Sequence, residues 1–396
     1  MSHVIESPEV VGCSSARLAR IRPVMQSYVD RYGFAGLSTM LARRGRIIYC
    51  EQVGWQDREE RTPLSADTIF RVYSLTKPII CVAFMTLYEE GRFQLFEPVA
   101  KFLPQFGKMR VLTGTTLSAA REVDPVRPIT IRDLLTQTSG LTYDFLEDSP
   151  VSALYRQAGL LSNADRSLEA MIDELTRLPL AYQPGAKWHY SMSIDVIAYL
   201  IEVISGKPLQ DFLRERLLAP LGMADTGFSV PARAQQRLSA MYGHPDLATH
   251  TFSQIVEAWK KGLNERIDVE VTYPSTNTRT FARGGHGLFS TSGDVLRFAL
   301  MLLNRGELDG VRILAPDIVD FMHMNHVSPA LLPYEIAGIR RSGYGYGLGS
   351  RVLLDVAESS LPGSVGEFGW QGAAKTYYWV DPKRELAGYP DGSIYA

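Results

Sequence analysis

Cysteine is scarce in this chain: Cys13, Cys50 and Cys81 are the three among 396 residues. They cannot all pair with one another, and none forms a Cys-x-x-Cys. They read as reduced thiols, which excludes a disulfide framework. Long apolar runs are missing too. No stretch of about 18 uncharged apolar residues occurs, so no membrane-spanning helix is expected. Neither sign of charge dominates, with 41 Lys+Arg against 43 Asp+Glu. That balance leaves no electrostatic footprint for nucleic acid or an anionic membrane. The first 25 residues lack a basic start followed by a long apolar core. A secretory signal is therefore not expected, and a cytoplasmic setting is favoured. Several chemical signatures are also absent. There is no G-x-S-x-G nucleophile turn, no G-x-x-x-x-G-K-[ST] and no G-x-G-x-x-G after a strand, so nucleotide binding is unsupported. There is no H-E-x-x-H, and His323 with His326 forms only a short His-x-x-His, too common a pattern to carry a metal.

What is present is an ordinary globular composition, 45% hydrophobic. At this length it suits two or three structural units, or one large two-lobed enzyme. Residues 16–33 carry Leu18, Ile21, Met25 and Tyr28 at helical spacing, with Pro23 as a kink or a late start. Two apolar runs flank Arg43-Arg44-Gly45-Arg46 and read as a β-hairpin. Helical patterns then dominate at 76–91, 130–137, 191–205, 208–218 and 292–305, the last opening on Ser292-Gly-Asp294 as its cap. Residues 122–128 and 329–343 read as loops. Strand-like patterning returns at 344–354 and 374–380, rich in aromatic and β-branched residues. In that last stretch Tyr377-Tyr378-Trp379 reads as sheet packing. Strands at both ends and helices between them predict an α+β fold. An antiparallel sheet lobe (residues 1–73 and 340–396) is expected around an inserted, mainly helical lobe (74–339), the two acting as one functional unit.

Three segments carry candidate chemistry. Ser74-Leu-Thr-Lys77 lies where the strand-like Thr68–Val72 gives way to a helix. Residues three apart share a helix face, so the Ser74 oxygen and Lys77 nitrogen can meet. A serine hydroxyl is a weak nucleophile until something accepts its proton, and a helix N-terminus favours a developing anion nearby. Taken alone, the pattern is better explained by an N-cap serine and a solvated lysine. His189-Tyr190-Ser191 follows the turn Gln183-Pro-Gly185. Tyr190 could relay a proton to a leaving group, although a hydrogen-bonded core tyrosine explains it in isolation. Gly369-Trp370-Gln371-Gly372-Ala373 enters the final strand pair, where glycine lets an edge strand approach a substrate closely.

The order of these segments, Ser-x-x-Lys, then Pro-Gly-x4-Tyr-Ser, then Trp-x-Gly near the C-terminus, resembles the serine β-lactamase and penicillin-binding-protein superfamily. It is most similar to the class C-like branch and its family VIII carboxylesterases. Phe70–Pro78, Ile131–Leu141, Pro220-Leu-Gly-Met223 and Gly284–Ser290 match as well, and the resemblance spans roughly residues 15–385. It implies that Ser74 is the acylated nucleophile, that Lys77 helps deprotonate it, and that Tyr190 acts as general base and then as general acid. It also implies an oxyanion hole from the backbone N–H groups of Ser74 and Ala373. Trp370, Gln371, Gly372, Tyr143 and Met192 would contact substrate.

Three departures shape the expectation. Met192 stands where class C β-lactamases have an amide-binding Asn. Trp370-Gln-Gly372 replaces the Lys-Thr/Ser-Gly that helps to recognise a carboxylate. Both favour an uncharged ester over a β-lactam. The family's last strand and helix are replaced by Gly388–Ala396, in which Pro390 is expected to interrupt any strand. An uncovered sheet face and a compensating homo-oligomer contact follow as expectations. The resulting reading is a serine carboxylesterase for short- to medium-chain esters, with no metal and no organic cofactor. Acyl transfer, amide hydrolysis or weak β-lactamase activity through the same acyl-enzyme is the alternative, and a binding protein on this fold is the remaining one. Apolar pocket surface is expected from Tyr143, Phe145, Phe252, Trp259, Leu331 and Tyr334.

Overall fold

Alternation in residues 36–57 sorts apolar side chains to two faces of a central hairpin. In β1 (Gly36–Arg43), Met40 and Ala42 face the main core, while Leu37 and Leu41 face the opposite way, toward α1 (Ile21–Tyr32). β2 (Arg46–Asp57) pairs antiparallel with β1 across the two-residue turn Arg44–Gly45 and adds Tyr49 and Val53 to the α1 side. The computed structural model describes residues 4–114, 116–243, 246–260, 265–276, 280–392 and 394–395. The single helix expected over 16–33 is two: Ser15–Leu18, then α1. Pro23 sits in the first turn of α1, where a missing N–H breaks no intrahelical bond.

β3 (Thr62–Pro63) closes the edge beside β2, and β4 (Ile69–Arg71) leaves the sheet to pair with β5 (Phe289–Thr291). The C-terminal part of the chain then supplies β6 (Tyr344–Tyr346), β7 (Arg351–Leu353), β8 (Phe368–Gln371), β9 (Tyr377–Asp381) and β10 (Leu386–Gly392). The sheet order is β6-β7-β8-β9-β10-β1-β2-β3, antiparallel throughout. The fold is α+β, with an eight-stranded antiparallel sheet drawn from both ends of the chain.

The expectation for Pro390 needs correction. β10 runs through it, with Thr39 of β1 as its register partner. Pairing with β9 stops at Gly388, so no ladder bond on that side calls for a Pro390 N–H. Trp379 fills the space a Gly388 side chain would take, beside Leu41.

The helical part is built on α2 (Thr76–Glu89), buried continuously from Thr76 to Leu87. A helix apolar on all sides belongs in a core. It packs against α4 (Ser193–Ser205), which in turn meets α3 (Ile131–Leu135). α3 opens with a reciprocal cap between Thr130 and Asp133. α5 (Ser292–Leu303) lies on β10, β9 and β1. Its cap is Thr291, whose side chain accepts the Asp294 N–H, one residue before the expected start. The 208–218 helix is α-helical only to Leu213 and continues as a π turn. Both expected loops hold short pairings, 121–123 with 111–113 and 335–336 with 339–340. All three cysteines are free.

Candidate active site

The junction between β4 and α2 carries backbone strain. Tyr73 takes φ +44°, a sterically costly value for an aromatic residue. The tight turn Tyr73–Leu75 then places Ser74 at the open N-terminal end of a buried helix. The 284–288 segment is pinned beside it. Val72 N–H donates to Leu288 O at 3.0 Å, and Leu288 N–H donates to Thr76 Oγ1 at 3.1 Å.

That docking gives Lys77 its surroundings. Lys77 is fully buried. Its Nζ lies 3.0 Å from Ser74 Oγ and donates to Gly285 O at 2.6 Å. The same nitrogen faces the rings of Tyr190 at 4.6 Å and Tyr143 at 5.1 Å. The Gly285 peptide continues the chain of contacts, since its N–H donates to Asp195 Oδ1 at 2.9 Å. Asp195 is fully buried in α4, and its second oxygen has no hydrogen-bond partner among the described residues. Burial pushes this carboxyl up, against the opposing pull of Lys77. Burial, with Asp195 next, also holds the Tyr143 hydroxyl well above its ordinary value.

Tyr190 hangs from the segment that follows α3. His189 N–H donates to Gln137 O at 2.8 Å, Ser191 N–H donates to Gln137 Oε1 at 3.0 Å, and Met192 N–H donates to Thr142 O at 3.2 Å. These backbone bonds aim the intervening side chain without using it. Trp370 approaches Tyr190 from the sheet, with ring centroids 5.8 Å apart. After Trp370 the chain turns at Gly372, which must lack a side chain: a Cβ there would collide with Val72 O and Thr376 Oγ1. This contact seats Ala373 next to the Ser74 turn. Among the described residues, neither the Ser74 nor the Ala373 N–H is spent on a turn, loop or cap bond.

These groups border a cavity of about 430 Å³. Ser74, Tyr143, Tyr190, Trp370, Gln371, Gly372 and Ala373 line it, and Lys77 lies buried behind Ser74. Met192 is not on this wall; it is fully buried at the start of α4, where its apolar side chain joins the core. Of the expected apolar surface, Tyr143, Phe145 and Phe252 line the cavity. Tyr334 packs tilted against Trp188, 4.1 Å between centroids, and Leu331 packs on the core. The Trp259 side chain lies outside the described residues. Four wall or support residues were not individually named in the sequence reading: Asp195, and Tyr273, Gly285 and Arg341, which lie in the 244–285 and 326–343 segments expected to supply pocket walls. The adjacent glycines at 284 and 285 were the available signal, since paired glycines mark close backbone approach.

His286 also lines the cavity, and burial pushes its imidazole down to about 3; His189 is likewise held at about 4. Both are neutral near pH 7. His323 and His326 each spend a ring nitrogen on a backbone carbonyl, Val319 O and Phe321 O, both at 2.7 Å. Among the described residues no cluster of His, Cys, Asp and Glu could hold a metal.

Asp144, between the cavity residues Tyr143 and Phe145, supplies a pH-dependent stability term. Burial pushes its carboxyl up to about 7, against about 3.9 in an unfolded chain. The fold thus favours the protonated form. Its contribution is complete below about pH 4 and is lost as pH rises through about 7. Asp144→Asn stays neutral throughout. Its melting temperature relative to wild type is expected to rise between pH 4 and pH 8, and a difference independent of pH would contradict this account.

A family model described as beta-lactamase matches residues 21–389. The chain belongs to the beta-lactamase family. Within it, the chain is 28% identical over 395 residues to Esterase EstB of Burkholderia gladioli, covering 94% of this chain and 90% of that one. It is 30% identical over 338 residues to Monacolin J acid methylbutanoyltransferase of Aspergillus terreus, covering 82% and 76%. Among solved structures, "EstCE1, a hydrolase with promiscuous acyltransferase activity" superposes with a TM-score of 0.77 at 24% identity, covering 96% and 94%, which shows the shared fold.

Proposed function

We propose that Ser74 is acylated by short- to medium-chain carboxylic esters, with Lys77 and Tyr190 moving its proton. This chain is a serine hydrolase acting on esters, and the likeness to Esterase EstB along nearly its whole length supports that activity. The contact of Ser74 Oγ with Lys77 Nζ at the edge of an apolar cavity carries the residue assignment. Ser74 Oγ attacks the ester carbonyl as Tyr190, with Lys77 beside it, takes the hydroxyl proton. The N–H groups of Ser74 and Ala373 hold the oxyanion. Collapse expels the alcohol, which receives the proton from Tyr190 and leaves an acyl-Ser74. Water then enters with the roles reversed. Trp370, Gln371 and Gly372 border the substrate.

Acyl transfer is the second reading, because the methylbutanoyltransferase relative matches over four-fifths of this chain. It differs only in the acceptor of the acyl group. The sheet lobe (1–73 and 340–396), the helical lobe (74–339), a homo-oligomer contact and a cytoplasmic setting complete the proposal, the last supported by three free thiols. No helix among the described residues is long and apolar enough to cross a membrane.

A p-nitrophenyl ester pulse followed by intact-mass measurement tests the assignment. The expected result is an acyl adduct on the peptide holding Ser74, absent in Ser74→Ala. An adduct that clears only when an alcohol is added would favour transfer, and an adduct elsewhere would overturn the assignment.

A further inference from the structure

The short pairing at 335–340 and the residue after it form one wall of the cavity. Ile336, Ala337 and Ile339 make that wall apolar, and Arg341 lines it beside them. Arg341 is half-buried. Its backbone N–H is bonded to Tyr334 O at 2.9 Å, which fixes where the side chain starts. Its guanidinium forms no ion pair with any described Asp or Glu; the titratable groups around it are Tyr334, Arg351 and Tyr344. Arg351 cannot relieve it. That side chain carries the same charge and lies over the rings of Tyr344 and Tyr377, each at 4.8 Å. Burial, with Arg351 adding to it, pushes Arg341 below its ordinary value.

The rest of the described cavity wall pairs no carboxylate with Arg341. Lys375 adds another cation, and Asp246 is its carboxylate. Both Asp246 oxygens are engaged, Oδ1 by the Ala248 N–H at 3.0 Å and Oδ2 by the Thr272 hydroxyl. A guanidinium partly withdrawn from water beside a like charge is better satisfied by an anion. Its planar fork of donors matches a carboxylate in two-point geometry. A ligand that brings its own carboxylate would complete this wall.

We propose that the esters taken by this site carry a carboxylate, held by Arg341. The proposal rests on the reading of this cavity as the ester site. It places the recognition on a different segment from the Lys-Thr/Ser-Gly position, which Trp370-Gln-Gly372 occupies here. The carboxylate can lie on the acyl or on the alcohol portion, and the experiment separates the two.

The test uses three p-nitrophenyl or aryl esters of similar size: a neutral butyrate, a glutarate hemi-ester with the carboxylate on the acyl side, and a 4-carboxyphenyl butyrate with it on the alcohol side. Ketone analogues with CH2 in place of the ester oxygen report binding by calorimetry without turnover. The readout is the ratio of acidic to neutral ligand, in Kd and in kcat/KM, for wild type, Arg341→Gln and Arg341→Lys. One acidic ligand is expected to be preferred by about tenfold, with the preference lost in Arg341→Gln and partly kept in Arg341→Lys. No acidic preference, or one that Arg341→Gln leaves intact, overturns the proposal. The Kd ratio decides this even if Ser74 proves not to be the nucleophile, which would show instead as turnover surviving Ser74→Ala.

Discussion

Replacing Lys77 with methionine is expected to lower kcat/KM for a p-nitrophenyl ester by about 10³-fold or more, and adding Ser74→Ala is expected to cost little beyond that. The geometry gives the reason. The Lys77 nitrogen touches Ser74 Oγ and Gly285 O, and beyond them meets the faces of Tyr190 and Tyr143. It is the one group seen hydrogen-bonded to the proposed nucleophile among the described residues. Methionine keeps the length and the apolar stem, so the cavity left in the core is small. What it removes is the nitrogen. Ser74 then loses its hydrogen-bonded partner and Tyr190 loses the cation beside it, and Gly285 O loses its donor, worth about 1–3 kcal/mol of stability. Melting temperature and kcat/KM therefore report separate losses. Groups that act as a unit are strongly non-additive, so the double variant should resemble the worse single one. A Lys77→Met enzyme that retains a tenth of wild-type kcat/KM would mean that Ser74 is activated by some other group.

The motif residues were legible in the sequence because the chemistry constrains them locally. Ser74 and Lys77 are three apart on one helix start, a spacing that permits their contact, and the order of the three motifs singled it out. The hairpin around Arg44–Gly45 and the helix over 76–89 were equally local, one by turn composition and the other by a helical pattern stopped at Gly91. What the sequence could not display were contacts between distant segments. Asp195 reads as an ordinary charge near a helix start, and nothing in its neighbours shows that it meets Gly285, ninety residues away. Arg341 reads as one of two arginines in a loop, and its lack of a counter-ion becomes visible only when the cavity walls are assembled. Met192 failed in the opposite direction. Its position beside Tyr190-Ser191 suggested substrate contact, but a helix start turns that side chain into the core. Pro390 failed because a rule about strand interiors was applied without knowing which side of the strand keeps its partner there.

Gly285→Ala is expected to lower kcat by about 10²-fold with a much smaller change in KM, together with a stability loss of about 1–3 kcal/mol. A Cβ at this position would lie 2.5 Å from Asp195 Oδ2 and 2.7 Å from the Tyr143 hydroxyl. Neither atom has room to yield. Asp195 is fully buried and tied to the Gly285 N–H, and Tyr143 stacks on Phe145 with centroids 4.8 Å apart. Backing the 284–286 segment away from α4 is the remaining relief. That movement carries the Gly285 carbonyl with it, and this carbonyl holds the Lys77 nitrogen at 2.6 Å. A displacement of a few tenths of an ångström would then reach Ser74 through Lys77, although Gly285 itself meets no substrate atom in this scheme. The split between kcat and KM matters here, because a purely structural role would lower the amount of folded enzyme and leave kcat per folded molecule unchanged. Active-site titration with a slow acylating ester supplies the count of folded sites. If kcat per titrated site in Gly285→Ala equals that of wild type, Lys77 does not depend on this carbonyl for its position, and the link from Asp195 through Gly285 to the nucleophile is structural alone.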